Sequence, residues 1–278
     1  MAISGEHLGA RAGSAELLNG ISLNVGSGEV LSVIGPNGAG KTTLLKILAG
    51  ERRRSAGKLR IGGRHIEDWE RSEISKVRAV LPQNSSLSFP FKVREVAMLG
   101  RGPHIRFSET RRDREIVGLA LEKVGIGRLS ERCFTTLSGG ERQRTQLARV
   151  LAQIWERPEN GERFLLLDEP TEGLDISHQH TVLETARELA SEGTAVVAVL
   201  HDLNLAAQYC DKILVLKEGK QVALGSPKEV LRTGTIRDVY GIEAHISAHP
   251  KLRDIPLVVP IGAAGSNGSG RAVSAGAR

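Results

Sequence analysis

Residues Gly35-Pro36-Asn37-Gly38-Ala39-Gly40-Lys41-Thr42 spell G-x-x-x-x-G-K-[ST] between an apolar run, Val30–Ile34, and a helical pattern with Leu44, Leu45, Ile47 and Leu48 on one face. A chain with this string must pass from a strand through a tight glycine-rich loop into a helix. That is how a phosphate-binding loop is built: glycines let the backbone wrap an anion, N–H groups point inward, and the helix start offers its positive dipole end. Lys41 is placed to reach β- and γ-phosphates, Thr42 to ligate Mg²⁺, and Thr43 continues the nucleotide-binding stretch. A plain glycine-rich turn would need neither the lysine nor the flanking strand and helix.

The rest of the chain fits that beginning. Residues 21–25 alternate as a strand, turn signals follow at Gly26 and Gly28, and short strands are predicted near residues 58–61 and 77–81. A helical stretch spans about 93–154, with amphipathic patterns around Val93 and Ile116 and a third helix starting near Ser138. Strands at 164–167, 195–200 and 213–216 then alternate with helices near 178–191 and from Leu203, which predicts an α/β fold with a mainly parallel sheet interrupted by a helical insertion. With 278 residues, 40% hydrophobic and 25% charged, the chain is long enough for a full core.

Composition narrows the setting. No run approaches the roughly 18–20 apolar residues of a membrane-spanning helix, and no basic-then-apolar leader opens the chain, so the expected location is the cytosol. Cys133 and Cys210 are too few for a disulfide framework and read as inert packing residues. A net charge of +6 permits contact with anions without demanding it. Arg52-Arg53-Arg54 and Arg111-Arg112 read first as solvated faces, with lipid phosphate or a partner protein as the alternative. Residues 261–278, rich in Gly, Ala and Ser, read as a flexible tail outside the fold.

Two further motifs carry chemistry. Phe164-Leu165-Leu166-Leu167-Asp168-Glu169 is an apolar strand ending in two carboxylates, the arrangement of a Walker B segment: Asp168 to hold Mg²⁺ and Glu169 to polarise water for in-line attack on a γ-phosphate. Taken alone, such a pair is more often a helix cap. Leu137-Ser138-Gly139-Gly140-Glu141 opens a predicted helix with a serine and two glycines, a second anion-binding helix start in the same chain. A cap accounts for Ser138 but not for the whole string.

On these strings, over roughly residues 3–240, the chain resembles the ATP-binding-cassette family, whose signature usually reads L-S-G-G-Q. The resemblance implies a P-loop nucleotide-binding domain over 1–242, with an antiparallel β subdomain and a helical insertion at about 84–154, then an extension at 243–260. It implies that Gln83 contacts Mg²⁺ and the attacking water, that His201 contacts the γ-phosphate, and that ATP and Mg²⁺ are the cofactors. It also implies a homodimer in which Ser138, Gly139 and Gly140 of one copy face the nucleotide held by Lys41 of the other.

Three departures mark the chain: Glu141 replaces glutamine, Thr171-Glu172-Gly173-Leu174-Asp175 stands where S-A-L-D is common, and residues 1–28 hold no aromatic to stack adenine, leaving Arg11 or a nearby residue as the expected platform.

Single cassettes without a span of their own generally serve separate permeases. The stretch 83–104, with Phe89-Pro90-Phe91 and Gly100-Arg101-Gly102-Pro103-His104, resembles the branch importing hemin, ferric siderophores and cobalamin, nearest to the hemin subunits, as does the long loop at 155–163. Expected partners are therefore two transmembrane permease subunits and a periplasmic solute-binding protein at the bacterial inner membrane, with partner information in 85–106 and no nucleic acid. A ferric-siderophore or cobalamin importer is the alternative within the branch. A soluble cassette acting on ribosomes or DNA would typically carry tandem cassettes or a coiled coil, and a non-hydrolysing regulator would not need Glu169 and His201. His178 and His180, two apart on a helix, point to different faces and make no heme site.

Overall fold

The five residues Val30–Ile34 are all buried, yet they face two different cores: Val30 and Ile34 point into one, Leu31 and Val33 into the other. A strand with no solvent face must run inside a sheet covered on both sides. The computed structural model, which describes residues 2–83, 87, 89–158 and 161–264, contains that sheet.

Among the described residues, ten strands form it: β1 (Ile3–Ala12), β2 (Ala15–Val25), β3 (Val30–Ile34), β4 (Ala56–Ile61), β5 (Arg64–His65), β6 (Arg78–Leu81), β7 (Arg163–Asp168), β8 (Thr194–Val199), β9 (Lys212–Lys217) and β10 (Lys220–Gly225). Their order is β5-β4-β1-β2-β10-β9-β3-β8-β7-β6. The run β9-β3-β8-β7-β6 is parallel. The β1, β2, β4 and β5 end is antiparallel and joins β10 through one parallel pair, Lys220 with Asn19. The helices are α1 (Lys41–Leu48), α2 (Arg71–Val77), α3 (Val93–Met98), α4 (Arg111–Lys123), α5 (Gly139–Gln153), α6 (Ile176–Ser191), α7 (Leu203–Tyr209), α8 (Pro227–Val230) and α9 (Thr233–Tyr240). Helix α1 shares a core with the antiparallel strands, while α3 to α7 and α9 pack into the other core, so the sheet is sandwiched as the α/β reading expects.

Some elements depart from the sequence reading. Val77 closes α2 and the strand expected at 77–81 starts at Arg78. Strand β1 was not legible because register shifts between Gly5, Leu8 and Ala10 break its alternation, with His7 in the left-handed region at φ +49°. Residues 261–263, expected to lie in the tail, belong instead to a strand: β11 (Ile242–Ala248) and β12 (Pro256–Ala263) form a separate hairpin in which Ile242 pairs with Ala263. Backbone pairing holds 261–263 without needing apolar side chains; the expectation for 265–278 falls outside the described residues. Cys210 is buried, and burial pushes its thiol up to about 12. Cys133 is only partly buried and sits 3.1 Å from the Thr135 hydroxyl, so it is not the packing residue expected. Arg52 and Arg54 are engaged by the Arg11 carbonyl and by Glu67, while Arg53 between them is exposed.

The Gly100-to-His104 element, read as partner information, is turned inward. A Cβ on Gly100 would lie 1.9 Å from the Arg149 carbonyl oxygen, so only glycine fits against α5. Arg101, 2% exposed, donates from Nε to Asp113 Oδ1 (2.9 Å), from Nη1 to the Ala152 carbonyl (2.9 Å) and from Nη2 to Glu156 Oε2 (2.8 Å). His104 Nε2 lies 2.8 Å from the Gln153 carbonyl. One guanidinium thus ties α4, the end of α5 and the long loop together. Burial pushes the Asp113 carboxyl up, but hydrogen bonds from Thr110 and Arg101 overcome it and hold it at about 2.

Removing one partner of such a buried pair leaves the other charge uncompensated, so Asp113→Asn should lower the unfolding free energy in urea by about 3 kcal/mol near neutral pH. Because the folded carboxyl titrates below its ordinary value, this stability is present above about pH 4 and is lost as pH falls toward 2. The gap between the two proteins should narrow over that window.

Candidate functional site

The parallel strands bring distant residues to one edge through their register. Leu81 of β6 pairs with Leu167 of β7, Asp168 with Val199 of β8, and Val199 with Val33 of β3. The residues just past those pairs are Gln83, Glu169, His201 and Gly35, so four strand ends deliver their side chains or loop at the same level.

Between β3 and α1 the loop is shaped by close approach. Gly35, at φ +148°, passes so near β9 that a Cβ would lie 2.1 Å from the Leu216 carbonyl oxygen. Gly40, at φ +97°, leaves room for Leu18 of β2, which a Cβ would meet at 2.6 Å. Gly40 also starts α1 with no side-chain cap and no acidic residue in the first turn, leaving those N–H groups to an anion. Lys41, 5% exposed, folds back and donates to the carbonyls of Gly35 (2.8 Å) and Pro36 (3.0 Å). Burial lowers its pKa, while Glu169 and Asp168 pull it back up.

A cavity of about 910 Å³ opens here, lined by residues 37–43 and by Gln83, Glu169, Glu172 and His201. Glu16 and Leu17 of β2 and Glu218-Gly219 of the turn between β9 and β10 complete its wall. Arg11 does not line it: on β1 it pairs opposite Glu16, one strand away, whereas its neighbour in space Leu17 is part of the lining.

The carboxylates are held at the centre. Thr42 Oγ1 donates to Asp168 Oδ1 (3.3 Å); burial raises the Asp168 pKa, the Thr42 bond opposes this, and the Glu169 charge adds to it. Gln83 Nε2 donates to Glu169 Oε2 (2.8 Å), and His201 Nε2 sits 2.7 Å from Glu169 Oε1. Glu169 holds this position with its backbone in the left-handed region, φ +50°, a cost of about 1–2 kcal/mol that the surrounding contacts sustain. Gln83, Glu169 and His201, read from segments far apart in sequence, therefore meet on one carboxylate. The sequence reading missed Glu172, whose Oε2 accepts a second bond from Gln83 Nε2 (3.0 Å). Its signal was the extra carboxylate at the position where serine is common.

Ser138, Gly139 and Gly140 do not line this cavity. They form the start of α5, where Ser138 Oγ accepts from the Glu141 amide (3.3 Å) and Glu141 Oε2 accepts from the Ser138 amide (2.9 Å). This reciprocal cap explains why glutamate serves at position 141, and the Ser138 hydroxyl proton stays free to donate. Asp175 caps α6 by accepting from the His178 amide (2.9 Å) and also meets its ring, while His180 Nδ1 sits 2.6 Å from the Tyr209 hydroxyl, so the two histidines do diverge.

Such a constellation suits phosphoryl transfer to water. Residues 18–172 match the ABC transporter family. The Hemin import ATP-binding protein HmuV of Gloeobacter violaceus is 52% identical over 257 residues, covering 92% of this chain and 93% of the relative. The chain belongs to the ABC transporter family. As an ATP-binding cassette it binds and hydrolyses ATP to power a transporter. In structure this cassette is similar to a chain of a metal-chelate type ABC transporter in an inward-facing conformation (TM-score 0.77, 25% identity, 94% and 97% of the two chains). It is also similar to a dimeric bacterial ABC transporter cassette (TM-score 0.69, 26% identity, 81% and 98%). Among the described residues no helix of the cassette is long and apolar enough to cross a membrane.

A Cβ at position 35 must push the loop away from β9. Gly35→Ala should cut ATP turnover by about 100-fold, the scale on which a 1 Å misplacement acts, with weakened binding of a fluorescent ATP analogue as the equilibrium check.

Proposed function

We propose that this chain is the ATP-hydrolysing, energy-coupling subunit of a hemin importer at the cytoplasmic face of the bacterial inner membrane. It would work as a homodimer beneath two transmembrane permease subunits, with a periplasmic solute-binding protein delivering the cargo. The observation that carries the ATPase reading is the convergence of Gln83 and His201 on the Glu169 carboxylate, beside a loop whose first-turn amides are unengaged by any cap. The hemin reading is supported by the relative named above and by the residues 89–91 and 100–104.

In this proposal Lys41 leaves its two carbonyls for the β- and γ-phosphates, and residues 37–43 wrap the phosphate chain. Glu169 accepts a hydrogen bond from water and directs it in line with the γ-phosphorus, the bond to the β–γ bridging oxygen breaks, and ADP and phosphate leave. His201 holds the γ-phosphate from the other side. The oxygen donors Thr42, Asp168 and Gln83 fit Mg²⁺, a hard cation, which when bound supplies charge neutralisation at the phosphate oxygens. Ser138, Gly139 and Gly140 of a second copy close the site, a role supported by the exposure of Ser138 and Gly139 at the start of α5, away from the chain's own cavity.

Permease docking is assigned to the apolar groove of the insertion. Phe91, Met98, Leu99 and Ile105 line it, and Phe89 and Phe107 stand exposed nearby in sequence. Residues 85, 86 and 88, also within the stretch expected to carry partner information, lie outside the described residues.

In the full chain with its permease, Glu169→Gln should retain ATP binding and lose turnover by about 100-fold or more, whereas equal rates would overturn the assignment. A strain lacking the gene should fail to grow on hemin as sole iron source and recover with the intact gene but not with Lys41→Ala. Normal growth on hemin with loss on a ferric siderophore or cobalamin would overturn the cargo.

A further inference from the structure

We infer that Glu172 is a positioning residue which, together with Glu169, orients the Gln83 side-chain amide so that its oxygen is the atom presented to the metal and water of a bound nucleotide. This rests on the ATPase reading above and assigns a task to a residue outside the usual pattern.

The Gln83 amide nitrogen carries two hydrogens, and both are taken: one by Glu169 Oε2 at 2.8 Å, the other by Glu172 Oε2 at 3.0 Å. Among the described residues no donor reaches Gln83 Oε1, and all three side chains line the same cavity. Flipping the amide would set its oxygen against two carboxylates, acceptor against acceptor, so a single orientation is fixed. One carboxylate would hold only half of this arrangement. Moreover, Glu169 must turn to water during the reaction, and Glu172 then keeps the amide in place.

Local backbone explains how the second carboxylate arrives. Glu169-Pro170-Thr171-Glu172 is a tight turn closed by the Glu172 amide donating to the Glu169 carbonyl (3.2 Å), which brings the first and fourth residues together. Gly173 follows at φ +69°, a conformation that lets the chain leave the turn at once toward α6. A serine at position 172 would make the turn but bring no carboxylate to Gln83.

The test uses the full chain and a fluorescent non-hydrolysable ATP analogue, with binding titrated in EDTA and against Mg²⁺. Glu172→Ala should raise the Mg²⁺ concentration for half-maximal enhancement of binding, referred to the same variant's own affinity in EDTA, by about 10-fold. Glu172→Gln, which keeps an acceptor oxygen at the same reach, should restore part of the difference. In a Gln83→Ala background, adding Glu172→Ala should change nothing further, because the residue acts through that amide. An equal rise in both backgrounds or an unchanged Mg²⁺ requirement would overturn the inference. Failure of the wild-type chain to hydrolyse ATP with its permease would overturn the ATPase reading instead, a result the analogue titration does not touch.

Discussion

The register of the parallel strands is the constraint on which the site depends. Side chains alternate along a strand with period two, so a slip of β7 by one residue against β6 and β8 would exchange the faces of Leu165, Leu166 and Leu167 and carry Asp168 and Glu169 with them. The two cores forbid this. Phe164 and Leu166 fill one, Leu165 and Leu167 the other, and each face is already packed. Burial of a few leucines and valines thus sets the positions of carboxylates that those residues never touch. The same logic fixes the glycine loop, because Gly35 follows directly from a strand whose neighbours on both sides are in register.

Charge then works inside this frame. Lys41 and Asp168 are both buried, and burial moves each toward its neutral form, with their mutual attraction and the Thr42 hydroxyl acting against that drift. Chain folding therefore sets a buried ammonium and a buried carboxylate close together beside the phosphate-binding loop.

The sequence made plain whatever depended on local pattern. Continuous apolar runs marked β3, β7 and β8, glycine spacing marked the phosphate loop, and the Ser138 cap marked the start of α5, because each of these is decided by residues within one turn or strand. The convergence of Gln83 and His201 on Glu169 was expected only through family resemblance, since the three lie far apart in the chain. Elements decided by pairing escaped: β1 with its bulges, the polar β10, and the end of β12, whose residues 261–263 are held by backbone bonds rather than by hydrophobicity. Arg101 had no packing role legible in the sequence, because its acceptors come from three separate segments, α4, α5 and the long loop. Glu172 was visible as a departure but not as a partner of Gln83, because that bond spans 86 to 89 positions of sequence separation with its companion.

The Arg101 junction has a mechanical meaning as well. A helical insertion stitched through one guanidinium to α4, to the last turn of α5 and to Glu156 has little slack between its parts, and Gly100 seats it on the α5 backbone with no intervening side chain. Three segments of the insertion are thus cross-braced at one buried point.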